Sequence, residues 1–278
     1  MTRRSKTVTI VLGIKTPQGV VLSADTQESY AGSHKVNRPK LVYKSEDNVC
    51  GLPIGMAIAG AGFGPSIDKL TTSMWDAVQD ATNLDEACSK AEAEIGNHYL
   101  QYRKLMALDD DELIYGIGAS GTTKLFHAWG PIVNEITVKA SGSGQPIADF
   151  LLRHFKGTMH ITNAMAWAVY ILYSAKEHAD GCGGDTHLAV IQNDGKNYLL
   201  EADHIKAMEN LFEKTSNATD ILLMLAANPV LDAEGVKMAG AVISVKIAEY
   251  MGQLTNVKSI PELLKRLKGD QSTSARAQ

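Results

Sequence analysis

The chain has 278 residues, enough for one large domain or two, and its 45% hydrophobic and 21% charged residues are an ordinary globular composition. Its 27 basic and 31 acidic residues give a net charge of −4, which argues against a nucleic-acid partner. The sequence contains no uncharged apolar run of the roughly 18 residues that cross a bilayer, so we expect no membrane partner. Three scattered cysteines without a C-x-x-C pair favour a reducing, cytoplasmic location.

The hydrophobic pattern predicts alternating groups of strands and helices along the chain. Strands are expected at 8–15, 19–26, 35–44 and 53–60. Helices at about 65–79 and 83–108 follow, and then come strands at 112–118, 123–129 and 133–140. Two further helices, at about 145–154 and 162–178, precede strands at 186–192 and 197–201. From 203 onward the pattern is helical, with breaks near 228–229 and 260–261.

This order has a simple packing solution. Two antiparallel sheets stack face to face, and one helix pair covers the outer face of each sheet. The predicted fold class is therefore α+β, as a four-layer αββα sandwich with extra C-terminal helices.

Three polar residues lie at or near the ends of the apolar segments in the first predicted strands. Thr9 begins the first strand, Asp25 ends the second, and Lys40 precedes the apolar pair of the third. A hydroxyl, a carboxylate and an ammonium group from neighbouring strands can converge at one edge of a sheet. A threonine hydroxyl is a poor nucleophile that needs a base, so this trio is typical of an activated nucleophile.

The register of these residues resembles the start of a proteasome β-type subunit, a member of the N-terminal nucleophile (Ntn) hydrolase superfamily. Thr9 is followed at the family's spacing by Gly13, Gly19 and Asp25, and then by Lys40. The resemblance implies that Thr9 is the nucleophile and that its own freed α-amine is the base. It implies that Lys40 keeps this amine neutral, while Asp25 orients Lys40. It also implies an Ntn domain at 9–202, preceded by a propeptide or N-terminal extension at 1–8. The helical pattern adds an extension at 203–278, packed on that domain, which is longer than the family leads us to expect.

Two later motifs resemble other parts of the family's site. Gly60 matches the glycine whose N–H forms the oxyanion hole, although an ordinary Gly-rich turn explains the same letters. Ile58, two residues earlier, matches a position lining the substrate pocket. In Gly142-Ser143-Gly144 the serine matches the residue that holds the amine, and the alternative is a plain helix N-cap.

The last motif departs from the family pattern of an acidic residue, two residues and Ser-Gly. The segment reads Ala179-Asp180-Gly181-Cys182-Gly183. An alignment of Cys182-Gly183 with Ser-Gly puts Ala179 at the acidic position, whereas an alignment of Asp180 puts Gly183 at the serine position. We take Asp180 as the candidate acidic residue of the site.

The resemblance implies a threonine-type endopeptidase that acts on peptides or unfolded proteins inside rings of identical subunits. The histidines show no paired ligand spacing, so we expect no metal and no cofactor. The chain lacks a P-loop motif, so an unfoldase, if used, is a separate ATPase. The alternatives are a catalytically silent proteasome-like structural subunit, favoured by Val8 where active precursors usually carry glycine, and a small-molecule Ntn amidase.

Overall fold

A computed structural model of the chain describes residues 9–30, 34–102, 111–153 and 159–226, together with Lys237, Gly240, Ala241, Ser244 and Val245. The chain divides into two compact units, Met1–Leu200 and Glu201–Gln278. The segment 1–8 and the predicted helix breaks near 228–229 and 260–261 lie outside the described residues.

The first unit contains two larger antiparallel sheets and one small one. The strands of the first sheet are β1 (Ile10–Thr16), β2 (Gly19–Asp25), β10 (Val138–Gly142), β11 (Thr186–Gln192) and β12 (Asn197–Leu199), in the order β10-β1-β2-β11-β12. The small sheet pairs β3 (Gln27–Tyr30) with β4 (His34–Asn37). The strands of the second sheet are β5 (Leu41–Asp47), β6 (Pro53–Ala61), β7 (Glu112–Ala119), β8 (Thr122–Trp129) and β9 (Ile132–Glu135), in that order.

The helices of the first unit fall into two pairs. Helices α1 (Gly64–Val78) and α2 (Leu84–Tyr102) contact each other and strands β6 and β7. Helices α3 (Gln145–Leu152) and α4 (Ile161–His178) contact each other and strands of the first sheet. Helix α5 (Ala202–Ala226) belongs to the second unit. None of the described helices is long and apolar enough to span a membrane.

Strands β1 and β2 are buried along nearly their whole length because both of their faces are covered. On one side they contact β6, β7 and β8 through an apolar cluster that includes Val11, Leu22, Ala59 and Leu125. On the other side they contact α4. This explains why the two strands read as continuous apolar runs rather than as alternating patterns. The antiparallel α+β class predicted from the sequence is confirmed.

Two of the predicted strands are interrupted in the structure. The span 35–44 ends as β4 and resumes as β5, because Pro39 has no N–H for a ladder and the N–H of Arg38 donates to Thr26 O at 2.7 Å. The span 133–140 separates into β9 and β10, which belong to different sheets. Each interruption therefore moves the chain from one sheet to another.

Candidate active site

Thr9 lies directly before β1 and is 3% exposed. Its hydroxyl donates to Asp25 Oδ1 at 2.6 Å and accepts from Lys40 Nζ at 2.5 Å. The same oxygen thus contacts both an acceptor for its proton and a cation for its lone pair. This is the geometry that an activated hydroxyl needs.

Asp25 ends β2, is fully buried, and forms the centre of the cluster. Besides Thr9, its Oδ1 accepts from Lys40 Nζ at 2.7 Å and from Ile10 N at 3.2 Å. Its Oδ2 accepts from Gly183 N at 3.0 Å. A buried carboxylate is costly unless it is paired and hydrogen-bonded, and these donors supply both conditions.

Lys40 comes between β4 and β5, and its side chain is only 12% exposed. Besides Thr9 and Asp25, its ammonium donates to the carbonyl of Gln27 in β3. The β5–β6 ladder begins directly after Lys40, where Leu41 pairs with Ala59. The break at Pro39 thus places the lysine where the two larger sheets meet the small one.

The Gly142-Ser143-Gly144 motif brackets the backbone of Thr9. Ser143 Oγ accepts from Thr9 N at 3.2 Å and donates to Thr9 O at 3.2 Å. Gly142 has φ +96°, and a Cβ there would lie 2.3 Å from Thr9 O. A Cβ on Gly144 would lie 2.8 Å from the Cys182 sulfur. Both glycines therefore permit a close approach, and the N-cap residue of α3 is Gly144 rather than Ser143.

The loop after α4 brings Cys182, not Asp180, to this shell. Cys182 Sγ lies 3.6 Å from Ser143 Oγ, and burial raises the pKa of the thiol above its ordinary value. Asp180 is exposed and makes no hydrogen bond or ion pair with the described residues. The expected place of Asp180 beside the nucleophile is thus not reproduced. The left-handed turn at Gly181 (φ +90°) directs the chain inward only after Asp180 has passed.

Gly60 and Ile58 lie on β6, and their surroundings give each of them a packing role. A Cβ on Gly60 would lie 2.6 Å from Ile67 Cγ2, so glycine lets α1 approach the strand closely. Ile58 is 2% exposed and belongs to the apolar cluster with Leu70 and Met74 of α1. The prediction that Ile58 lines a substrate pocket is not reproduced, because strand alternation turns it toward the helices.

Two residues that support the site and its neighbouring turn, Gln27 and Asp111, were not assigned a role from the sequence. Gln27 joins the shell through its contacts with the loop 181–184, whereas Cys182 was already considered in the alignment with the family's Ser-Gly. Asp111 is buried and accepts from Phe63 N at 2.7 Å, so it fixes the turn after β6.

No protein-family model and no curated protein sequence matches this chain. Solved structures do match it. Anbu from Hyphomicrobium sp. strain MC1 aligns with a TM-score of 0.62 at 13% identity, over 81% of this chain and 100% of that one. Anbu from Yersinia bercovieri, described as an ancestral beta-subunit, aligns with a TM-score of 0.61 at 15% identity, over 81% and 100%.

A third match is the helical assembly of the Anbu complex from Pseudomonas aeruginosa. It has a TM-score of 0.62 at 14% identity, over 80% of this chain and 99% of that one. At such identities a likeness establishes a shared fold. The first unit of this chain and the Anbu structures therefore share a fold.

Proposed function

We propose that the chain is a proteasome-like threonine-type peptidase, with Thr9 as its N-terminal nucleophile after removal of residues 1–8. The observation that carries the proposal is the contact of Lys40 and Asp25 with the Thr9 hydroxyl inside a site that is almost closed to water. If Lys40 were an ordinary lysine at a strand edge, its ammonium would extend into solvent. If Thr9 were an ordinary strand threonine, its hydroxyl would not contact two buried charged groups.

Each residue has a role in this proposal. The freed amine of Thr9 removes the hydroxyl proton, and amines of this type have pKa values near 8. Lys40 keeps that amine neutral and stabilises negative charge on the oxygen, while Asp25 fixes Lys40. Ser143, which now contacts Thr9 N, holds the amine, and the N–H of Gly60 stabilises the oxyanion. Asp180 has no contact that supports a role, and Cys182 occupies the place beside Ser143.

The wider setting is part of the same proposal. The pairing of α1 and α2 with one sheet, and of α3 and α4 with the other, supports a four-layer αββα sandwich. The C-terminal extension at 203–278 stays a prediction from the sequence pattern. The helical assembly of the Anbu complex supports self-assembly of identical subunits. The arrangement of these subunits in rings rests on the sequence resemblance alone. The substrates are peptides or unfolded proteins, delivered where necessary by a separate ATPase.

A catalytically silent structural subunit is the second candidate. The exposure of Asp180 and the presence of Val8 before the predicted cleavage site favour it.

Covalent labelling separates the two candidates. The purified full chain is incubated with a β-lactone probe, and the labelled residue is located by peptide mapping. We expect label on Thr9, none in Thr9→Ala, and retained label in Thr9→Ser, which keeps the hydroxyl. Absence of label from an assembled wild-type protein would favour the silent subunit.

A further inference from the structure

The residue that joins the two halves of the candidate site is Gln27, at the start of β3. It is 8% exposed, and its contacts lead to two different segments. Its carbonyl accepts from Lys40 Nζ, which fixes the lysine. Its side-chain Nε2 donates to Gly181 O at 3.0 Å, and its N–H donates to Gly183 O at 3.1 Å, which fixes the loop after α4.

The loop held by Gln27 is itself part of the shell around the nucleophile. Gly183 N donates to Asp25 Oδ2 at 3.0 Å, and Cys182 Sγ lies 3.6 Å from Ser143 Oγ. The side-chain amide of Gln27 therefore bonds Gly181, two residues before the backbone N–H that donates to Asp25. A loop released at Gly181 would loosen the Gly183 N–H and the Cys182 thiol together.

The fit between Gln27 and this loop is tight. A Cβ added to Gly183 would lie 2.5 Å from Gln27 Oε1 and 3.0 Å from Gln27 Cδ. The glycine at 183 thus leaves room for the Gln27 amide, and an alanine there would displace it. Because the displaced atoms are the end of a flexible side chain, the substitution changes the contact without moving backbone.

We infer that Gln27 is a positioning residue whose side-chain amide holds the 181–184 loop against Asp25 and Ser143 and so sets Lys40 and Thr9 for reaction. This assignment rests on the proposed function. Among the described residues, the hydrogen bonds of Gln27 lead to Lys40 and to the 181–184 loop and not to the Thr9 hydroxyl, so its side chain acts through that loop, and we expect it to affect the chemical step.

The test uses Gln27→Met, which keeps the length and apolar stem of the side chain and removes the donor. Its control is Gln192→Met. Gln192 is also 8% exposed and lies at the far end of β11, where its Oε1 accepts from Tyr198. The first measurement is hydrogen exchange of the 181–185 amides in the full chain. It requires no catalysis.

We expect exchange of these amides to rise about tenfold in Gln27→Met, because a buried carbonyl loses its donor, and to stay unchanged in Gln192→Met. Gly183→Ala, which displaces the same amide, should give the same result by a second route. The second measurement is labelling of Thr9 by a β-lactone over a range of concentrations. The maximal rate should fall about tenfold in Gln27→Met, with the half-saturating concentration unchanged.

Each outcome decides the assignment. Unchanged exchange in Gln27→Met would show that its amide does not hold the loop. Faster exchange with an unchanged maximal labelling rate would show that the loop does not position the nucleophile. If the wild-type protein takes no label, both the proposed function and this role of Gln27 are overturned. If the wild type is labelled and Gln27→Met is labelled at the same maximal rate, only the role of Gln27 is overturned.

Discussion

Asp25 is the residue on which the other members of the site converge. Its carboxylate accepts from the side chains of Thr9 and Lys40 and from the backbone at Ile10 and Gly183. These partners come from β1, from the link before β5 and from the loop after α4. The cluster therefore exists only when both larger sheets and that loop are in place.

Lys40 contributes a compact charge that arginine cannot reproduce. We expect Lys40→Arg to lower the rate of Thr9 labelling by about a hundredfold or more, because a planar guanidinium does not fit the space between Thr9, Asp25 and the Gln27 carbonyl. Stopped assays with a fluorogenic peptide and the β-lactone probe measure this. Lys44→Arg is the matched control, since Lys44 is exposed on β5 and lies over the Trp75 ring. Equal rates in both variants would reduce Lys40 to a structural ion-pair partner.

At the scale of elements, the long apolar strands and the four helices of the first unit were predictable, because runs of apolar residues separated by Gly and Pro define them. Helix α1 was expected at 65–79 and is Gly64–Val78. Strand β3 was missed because it is four residues long and polar, and β4 was predicted only as the start of one longer strand at 35–44. The crossing of the chain between β9 and β10 was missed because apolar residues continue through it, so the hydrophobic pattern carries no mark of the change of sheet.

The close packing of α1 on β6 predicts opposite effects for two glycine substitutions. Gly60→Ala adds a Cβ 2.6 Å from Ile67 Cγ2, so we expect the free energy of unfolding to fall by about 1–3 kcal/mol. Gly96 in α2 has nothing within 4 Å of its added Cβ, so Gly96→Ala should stabilise the fold by about 0.4–1 kcal/mol. Chemical denaturation of both variants measures the difference, and the same sign in both would contradict the packing argument.

The pair of α1 and α2 also carries a pH dependence. His98 is buried, its Nε2 lies 2.9 Å from Ser66 Oγ, and the rings of Tyr99 and Tyr102 flank it. Burial, and then the Lys69 ammonium, lower the pKa of His98 below its ordinary value. The unfolded chain therefore takes up the proton first as the pH falls. Stability from the neutral imidazole is complete above the unfolded pKa of 6.5 and declines below it.

The lowered pKa of His98 predicts a lower melting temperature at pH 5.5 than at pH 7.5. The decrease in melting temperature should be smaller in His98→Gln, whose side chain stays neutral. Differential scanning fluorimetry at the two pH values compares the wild type with this variant. His178→Gln, at the exposed end of α4, is the control and should lose as much as the wild type. An undiminished loss in His98→Gln would assign the acid sensitivity to other groups.

Across the whole molecule, site residues next to the ends of apolar strands could be predicted from the sequence, whereas the contacts made by loops could not. Thr9, Asp25 and Lys40 were predictable because polar residues at the ends of apolar strands converge at a sheet edge. The role of Gln27 could not be predicted, because its partners are backbone carbonyls of a loop far along the chain. Ile58 was assigned to a pocket from its position in a motif, whereas the alternation of β6 turns it toward α1.

The proposed peptidase requires one covalent change, the cleavage of the bond between Val8 and Thr9. In the proposed reaction the Thr9 oxygen attacks the Val8 carbonyl, the C–N bond breaks, and an ester forms between Val8 and Thr9 as the amine is released. Water then hydrolyses the ester, which frees residues 1–8 and restores the hydroxyl. Lys40 and the N–H of Gly60 would stabilise the negative charge in both steps.

Several contacts of the uncleaved backbone favour this bond over its neighbours. Ser143 bonds both N and O of Thr9, and Gly144 N donates to Thr9 O at 3.2 Å, so the residue is held on each side of its own hydroxyl. Val8 acts against cleavage, because a β-branched side chain crowds the carbonyl that is attacked. We therefore expect slow processing, complete in assembled protein, and faster processing in Val8→Gly.

Intact-mass spectrometry of purified full chain measures the loss of the N-terminal octapeptide over time. Thr9→Ala should retain it because the attacking oxygen is gone, and Thr9→Ser should lose it because the oxygen remains. Ser143→Ala, which releases the backbone of Thr9 but leaves the nucleophile, should cleave more slowly than the wild type. A wild-type chain that begins at Met1 or Thr2 after assembly, with Val8→Gly equally uncleaved, would mean that the buried trio stabilises the fold without ever acting as a nucleophile.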